Sequence, residues 1–369
     1  MRRAAALLLA LSLVQPTAGA RGAGTPEPRA PAKLDRREAI KLGLEYLKQI
    51  QNRDGSWGRG QAGIVGITAL GVLAFFAAGH ELDRGRYQKV LRNGVDYLRS
   101  CSLAPNPRDP AVSVIPPHPP GYFYARGDSD SKMHGHGYAT QALLLAYGTG
   151  KLDGARSKDL KHKLHLAIRI IEDSQTITGG WGYNPNHATA HEGSVTVTQV
   201  QALRLAANAG FFVDMAVIRA GLKYLHDSQK QDGSFRYSIN NDRSSAALTA
   251  ASLTAMHGFG EYYSDATRDG LDFLFQAYRR PRQVRWGAYA HYYAAQALYR
   301  AQGKYWQRWK ELVEPYLLSK LNTERGGRAG YWDDRGFGRS PNPHGRAYGT
   351  ASICLALSVE DGLLPLFQR

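Results

Sequence analysis

One spacing recurs along the chain and constrains its fold more than anything else: Gln-x3-Gly-x-aromatic, at Gln51/Gly55/Trp57, Gln175/Gly179/Trp181 and Gln229/Gly233/Phe235. Eight residues before each Gln stand Gly43, Ala167 and Gly221, followed at fixed distance by Tyr46-Leu47, Ile170-Ile171 and Tyr224-Leu225. Three degenerate copies lead from Gly94 to Tyr97-Leu98, from Gly270 to Phe273-Leu274 and Trp286, and from Glu314 to Leu317-Leu318 and Trp332. Such self-similarity marks a chain built from one supersecondary unit, which buries its apolar face only by stacking on its neighbours.

Each unit holds two helical patterns. The first carries charges on one side and apolar residues at helical spacing on the other, which predicts a half-solvated outer helix. The second is rich in Ala, Thr, Gln and Leu and poor in charge, which predicts an inner helix packed all round; its copies fall at 64–77, 138–147, 196–207, 245–256, 288–301 and 347–357. An open array needs polar capping units at its ends. Neither the first nor the last inner segment has a polar face, so the units are expected to close into an all-α, closed α/α toroid of about six outer–inner pairs. Forty glycines in 369 residues, against the ~7% of average usage, then have a task. Gly55, Gly179 and Gly233 allow the turn between the two helices at positive φ, and others let helices approach closely.

Residues 1–20 have the plan of a secretory signal peptide: Arg2 and Arg3, an apolar stretch from Ala4 to Val14, and Ala18-Gly19-Ala20 as the cleavage site. A linker is expected at 21–34 and the toroid at 35–369, interrupted by a Pro-rich loop at about 102–133 that is either a lid or mobile. No stretch is apolar for long enough to span a bilayer. A secreted or periplasmic location follows, with cleavage after Ala20. Loss of Arg2 and Arg3 lowers the formal charge from +16 by two, to +14, which favours an anionic lipid or glycan as a partner. Nucleic acid is not expected as a partner, since no groove-reading motif is present. Cys101 and Cys354 are free to pair in an oxidising compartment but make no disulfide scaffold.

The Gln-x3-Gly-x-Trp units with their leading Gly-x2-aromatic-Leu resemble the repeats of the squalene cyclase and protein prenyltransferase superfamily, over nearly all of the chain after residue 34. That resemblance implies an α/α barrel around a cavity for an isoprenoid chain, with the Gln and aromatic side chains tying neighbouring repeats together. It does not carry catalytic residues across. The Asp-x-Asp-Asp acid of the cyclases is absent, as are the Asp, Cys and His that hold zinc in the prenyltransferases and the Cys-Gly-Glu-Gln thioester of complement-like toroids. The nearest acidic groups are Asp128-Ser129-Asp130 and Asp333-Asp334, each either a catalytic acid or a solvated turn.

Residues that open the inner helices face the centre of a toroid, where six helix N-termini favour anions. Ionisable and hydrogen-bonding groups concentrate there. Asp128, Asp130, His134, His136 and Tyr138 are the candidates for catalysis. Glu192, Ser194, Arg243, Tyr289, His291, Tyr292, His344, Arg346 and Tyr348 are the candidates for ligand binding. His134-x-His136 and His187-x3-His191 with Glu192 have spacings that can chelate, but a Gly-rich turn is a weak metal motif; no metal or cofactor is expected. Three functions stay open: a cyclase- or prenyltransferase-like protein on an apolar or isoprenoid small molecule, a non-catalytic binding toroid, and a lyase on acidic polysaccharide. Phe75, Phe76 and the Ala/Leu faces of the inner helices favour the first. The oligomeric state is not legible.

Overall fold

The computed structural model describes residues 34–59, 62–115, 118–186, 190–324, 326–337 and 344–368. The signal peptide and nearly all of the linker expected at its N-terminus lie outside them. Asp35 caps the first helix, accepting from the backbone N–H groups of Arg37 and Glu38.

Six helices form the inner layer: α2 (Val65–Ala77), α4 (Lys132–Gly148), α6 (Gly193–Asn208), α8 (Ala246–Gly258), α10 (Gly287–Ala301) and α13 (Gly345–Ser358). Each packs on the next, and α13 packs on α2, so the ring is closed. The outer layer consists of α1 (Arg36–Gln49), α3 (Gln88–Ser100), α5 (Gly154–Asp173), α7 (Met215–Asp227), α9 (Asp265–Ala277) and a broken sixth element. The first five each contact two adjacent inner helices. The architecture is the expected closed α/α toroid. The sixth outer element runs as α11 (Gly303–Arg308), a π-helical turn Trp309–Val313, and α12 (Glu314–Leu318). Pro315 explains the break, because it has no N–H to continue the α-helical ladder.

The recurring residues make recurring bonds. Gln51 Nε2 donates to Gly55 O within its own turn at 2.9 Å and to Val90 O in the next outer helix, also at 2.9 Å. Gln175 repeats this with Gly179 O and Val217 O, and Gln229 with Gly233 O and Ala266 O. Trp57, Trp181 and Trp332 donate their indole N–H to Leu47 O, Ile171 O and Leu317 O at 2.7, 2.7 and 2.8 Å. The backbone N–H of each aromatic donates to a threonine hydroxyl of the following inner helix: Trp57 to Thr68, Trp181 to Thr196, Phe235 to Thr249 and Trp332 to Thr350. Gly55 has φ 91° and Gly179 φ 85°, a conformation that favours glycine, and a Cβ on either would strike the backbone of the next outer helix, at Asn93 or Ala220.

The interrupted second unit hides the same turn. Gly121-Tyr122-Phe123 falls inside the segment expected to be an insertion. Gly121 has φ 90°, and a Cβ there would strike Leu166, the residue before Ala167, as Asn93 precedes Gly94. The segment is not a free loop. It is pinned to the end of α3 by Leu103 N–H to Tyr122 O, Gly121 N–H to Leu103 O and Tyr124 N–H to Cys101 O. It also carries the hairpin Pro105–Asn106/Asp109–Ser113, one of four two-stranded antiparallel hairpins among the described residues, all within outer-to-inner connections.

Helix α4 starts at Lys132, six residues before the position expected for it. Gly135 and Gly137, read from sequence as turn residues, lie inside the helix, where a Cβ would touch Gly66 N or Thr198 and Gln199 of the flanking inner helices. Cys101 and Cys354 are buried free thiols and do not pair. No described helix is long and apolar enough to cross a membrane.

Candidate functional site

A cavity of about 790 Å³ opens at the N-terminal ends of the inner helices. All six contribute: Ile67 from α2, His134 and Tyr138 from α4, Glu192 and Ser194 at the start of α6, Leu248 from α8, Tyr289 from α10, and His344 and Tyr348 at the start of α13. The location follows from the alternation of outer and inner helices, which puts every inner N-terminus, with the N–H groups that lack an intrahelical partner, on one face.

Two carboxyl groups are buried against this cavity. Glu192 is 2% exposed and caps α6: Oε1 accepts from Val195 N–H at 2.8 Å and from Ser194 Oγ–H at 2.6 Å, and Oε2 accepts from Ser194 N–H at 2.9 Å. Burial raises its pKa, and the Ser194 and Val195 donors pull it back. Asp334, also 2% exposed, lies in the loop before α13 and accepts from His344 N–H at 3.1 Å. Burial raises its pKa too, against the opposing pull of the His344 and Ala288 backbone.

His134 Nε2 lies 2.9 Å from Ser194 Oγ and 3.6 Å from Glu192 Oε1. The Ser194 proton goes to the carboxylate, so the imidazole donates Nε2–H to Ser194 and keeps the lone pair on Nδ1. Burial lowers the His134 pKa to about 4, with the neighbouring His344 adding to the effect, so the ring is neutral at pH 7. Beneath it, Tyr138 and Tyr293 share a hydroxyl hydrogen bond of 3.0 Å, and the Tyr289 and Tyr292 rings stand 4.7 and 4.8 Å from that of Tyr293.

The mouth is aromatic. Tyr183 and Trp286 are 38% and 37% exposed, and Tyr183 shares a 3.1 Å hydroxyl bond with Tyr237; all three line the cavity. Trp286 has φ 59° and Lys132 φ 45°, left-handed values that cost a bulky residue of order 1–3 kcal/mol and cluster at functional sites. Each sits at the start of an inner helix, and the Lys132 ammonium is 5.5 Å from the Tyr183 ring centre.

The structure thus gathers Asp130, His134, Tyr138, Glu192, Ser194, Tyr289, His344 and Tyr348 around one cavity and sets the other candidates apart. Asp128 caps α2 through Val65 N–H at 2.8 Å. His136 is fully buried, accepting from Phe123 N–H through Nδ1 at 3.2 Å and donating Nε2–H to Ala167 O at 3.1 Å. It does for the second unit what Thr68 does for the first. Two residues along a helix turn the side chain by about 200°, so His134 and His136 point to opposite sides and do not chelate together. His291 is packed among Tyr278, Trp309, Tyr316 and Phe337, and Tyr292 is buried behind Tyr293. Arg346 points outward, 3.7 Å from Asp333 and over the Tyr331 ring; Arg243 is exposed on a hairpin. His187 lies outside the described residues. Phe75 packs on Trp57 and Tyr87 toward the outer layer, not around the cavity.

Sequence reading missed the mouth. Trp286 is not the core aromatic of its unit, and the sign was present: Val284 stands where the other units have Gly, two residues before the aromatic. Tyr183 and Tyr237 each follow a core aromatic by two residues, a position that has no meaning until the turn brings it to the rim.

No family model and no curated protein matches the chain. Solved structures do match in fold. The α-1,6-mannanase of Salegentibacter sp. matches with a TM-score of 0.61 at 10% identity, covering 89% of this chain and 100% of that one. A family 76 glycoside hydrolase from a bovine Bacteroides thetaiotaomicron strain gives 0.62 at 9%, covering 89% and 78%. The type II terpene cyclase MstE from Scytonema gives 0.53 at 13%, covering 90% and 100%. At these identities the likeness is one of fold.

Proposed function

We propose that the chain is a glycan-active toroid, exported by its N-terminal segment, that binds a saccharide in the cavity and cleaves it by acid–base chemistry. The observation that carries this reading is the meeting of two buried carboxyls, Asp334 and Glu192, with three aromatic rings at one solvent-open cavity. A sugar ring has faces of C–H bonds and an edge of hydroxyls. Trp286, Tyr183 and Tyr237 suit the faces, and the tyrosine, serine and histidine groups below them suit the edge. Glycoside cleavage needs one carboxyl that holds its proton and a second group that activates water or stabilises the sugar cation. Asp334, raised by burial, is the proton donor to the leaving oxygen. Glu192, whose three donated hydrogen bonds oppose the rise that burial gives its pKa, is the second carboxyl; it orients His134 through Ser194, so that Nδ1 accepts a hydrogen bond from the attacking water, whose proton goes to Asp334 once the leaving group has taken the first. The solved mannanases of the same fold, one of them in complex with α-1,6-mannotriose, favour the same class.

An isoprenoid ligand is the second reading. It is favoured by the apolar side chains that Ile64, Ile67 and Leu70 bring to the cavity from α2 and Leu248 from α8 across the ring, and by the solved terpene cyclase that shares the fold.

The test is release of reducing ends from a panel of neutral and acidic polysaccharides by the wild type, Asp334→Asn and Glu192→Gln, together with mass spectrometry of co-purified lipid. Activity that Asp334→Asn lowers at least 100-fold, with the melting temperature kept, supports the first reading. A co-purified isoprenoid with no saccharide bound or cleaved overturns it in favour of the second.

A further inference from the structure

The connection between α9 and α10 runs Arg279-Arg280-Pro281-Arg282-Gln283-Val284-Arg285 directly into Trp286 at the cavity mouth. All four arginines are exposed. Among the described residues none of the four guanidinium groups reaches a carboxylate, although the surface on either side is neutralised, Arg268 by Asp265 and Lys304 by Asp272. Pro281 opens a single 3-10 turn, Pro281–Gln283, and Val284 is 5% exposed, which anchors the segment and leaves its charges outward. Arg243 is exposed on the hairpin that precedes α8, next to α10 in the ring, and Tyr237 of the same hairpin lines the cavity. Unpaired positive charge therefore borders the aromatic mouth on the side of α8 and α10.

We infer that this arginine segment is a docking subsite for an anionic polysaccharide, which lies across the rim with one end in the cavity. The inference rests on the saccharide reading of the cavity and narrows it to chains that bear carboxylate or sulfate groups. Guanidinium forks bind such groups in pairs of hydrogen bonds, and four on one short segment suit a repeating charge better than a single ion. Rings beside the charges favour a sugar polymer over a lipid surface. Of the strongly exposed apolar side chains, Phe212, Tyr263 and Leu363 follow the C-terminal ends of inner helices, on the face away from the cavity, whereas Ile177 stands singly in an outer-to-inner turn, so most of the apolar surface that a membrane would meet is on the opposite side of the molecule.

Affinity electrophoresis and titration calorimetry of the full chain with polygalacturonate, in low salt and at about 0.15 M salt, test this. The variant replaces Arg279, Arg280, Arg282 and Arg285 by Ser; a control with the same charge change replaces the paired cations Arg84, Lys223, Arg268 and Lys304 by Ser. The expected result is at least a tenfold loss of polygalacturonate affinity in the first and less than a threefold loss in the second, with quenching of tryptophan fluorescence by a neutral mannotetraose equal in all. Equal losses in both variants, or none in the first, overturn the subsite. Tighter retention by duplex DNA or phosphatidylglycerol vesicles than by polygalacturonate overturns the choice of ligand. Failure of mannotetraose to quench, with the arginine dependence intact, counts against the cavity reading while supporting the subsite.

Discussion

Trp332, in the last unit, packs its six-membered ring on the backbone of Gly43, in the first. A Cβ built on Gly43 would lie 3.0 Å from the Trp332 ring and 2.5 Å from Cys354 Sγ. Trp57 has the same relationship with Gly94, and Trp181 with Gly221. What joins neighbouring units in the middle of the chain also joins its two ends, and the bidentate pair of Arg36 with Asp361, at 2.9 and 2.8 Å, secures the same seam.

Gly43→Ala should therefore destabilise the whole toroid, by about 1–3 kcal/mol from overpacking against the Cys354 sulfur and the rigid Trp332 indole, although the residue is far from any site. Chemical denaturation reads this as a lower midpoint, and an unchanged midpoint would show that the ring is not held at this seam.

Gln51→Ala removes the side chain that bridges the Gly55 turn to α3 and leaves two carbonyls without their donor. The expected cost is about 1–2 kcal/mol. Gln51→Glu should cost more than Ala, because a carboxylate at that position faces two carbonyl oxygens. The order of the two melting temperatures checks the argument.

Acid should loosen the second unit through His136. Its neutral ring accepts from Phe123 N–H, and burial lowers its pKa to about 4 from the ordinary 6.5. The unfolded chain takes up a proton as pH falls below about 6.5, but the folded chain resists until about pH 4, so this contribution is complete above 6.5 and is lost across that window. The slope is at most about 1.4 kcal/mol per pH unit. Thermal melts from pH 7 to 4 should be flatter for His136→Gln than for the wild type; equal slopes would remove His136 as the cause.

Trp286 carries a left-handed backbone for the sake of its position at the mouth. Trp286→Gly should be more stable than Trp286→Ala by about 1–2 kcal/mol, since only glycine adopts φ near 60° without steric cost. Both should bind saccharide at least tenfold more weakly than the wild type. Equal stability of the two variants would mean that the segment relaxes, and unchanged binding would remove the ring from the site.

Periodicity determined the architecture by itself. The fixed offset from Gln51 to Trp57, repeated, required a shared turn; apolar inner segments at both ends required closure; and together they implied the ring in which α13 meets α2. A repeat is legible because every copy solves the same local problem with the same residue types. The site was legible only as an address, the N-termini of the inner helices, and eight of the fourteen candidate residues proved to line one cavity there. Which ones was decided by helix phase and depth. His134 and His136 are alike in sequence, but a rotation of about 200° sends one to the cavity and the other into the wall. Asp334, read as a solvated turn or an acid, became a buried carboxyl only when its 3-10 turn packed against the start of α13 and met the His344 N–H. Burial and direction are properties of packing among separate segments, and no spacing within a single segment encodes them.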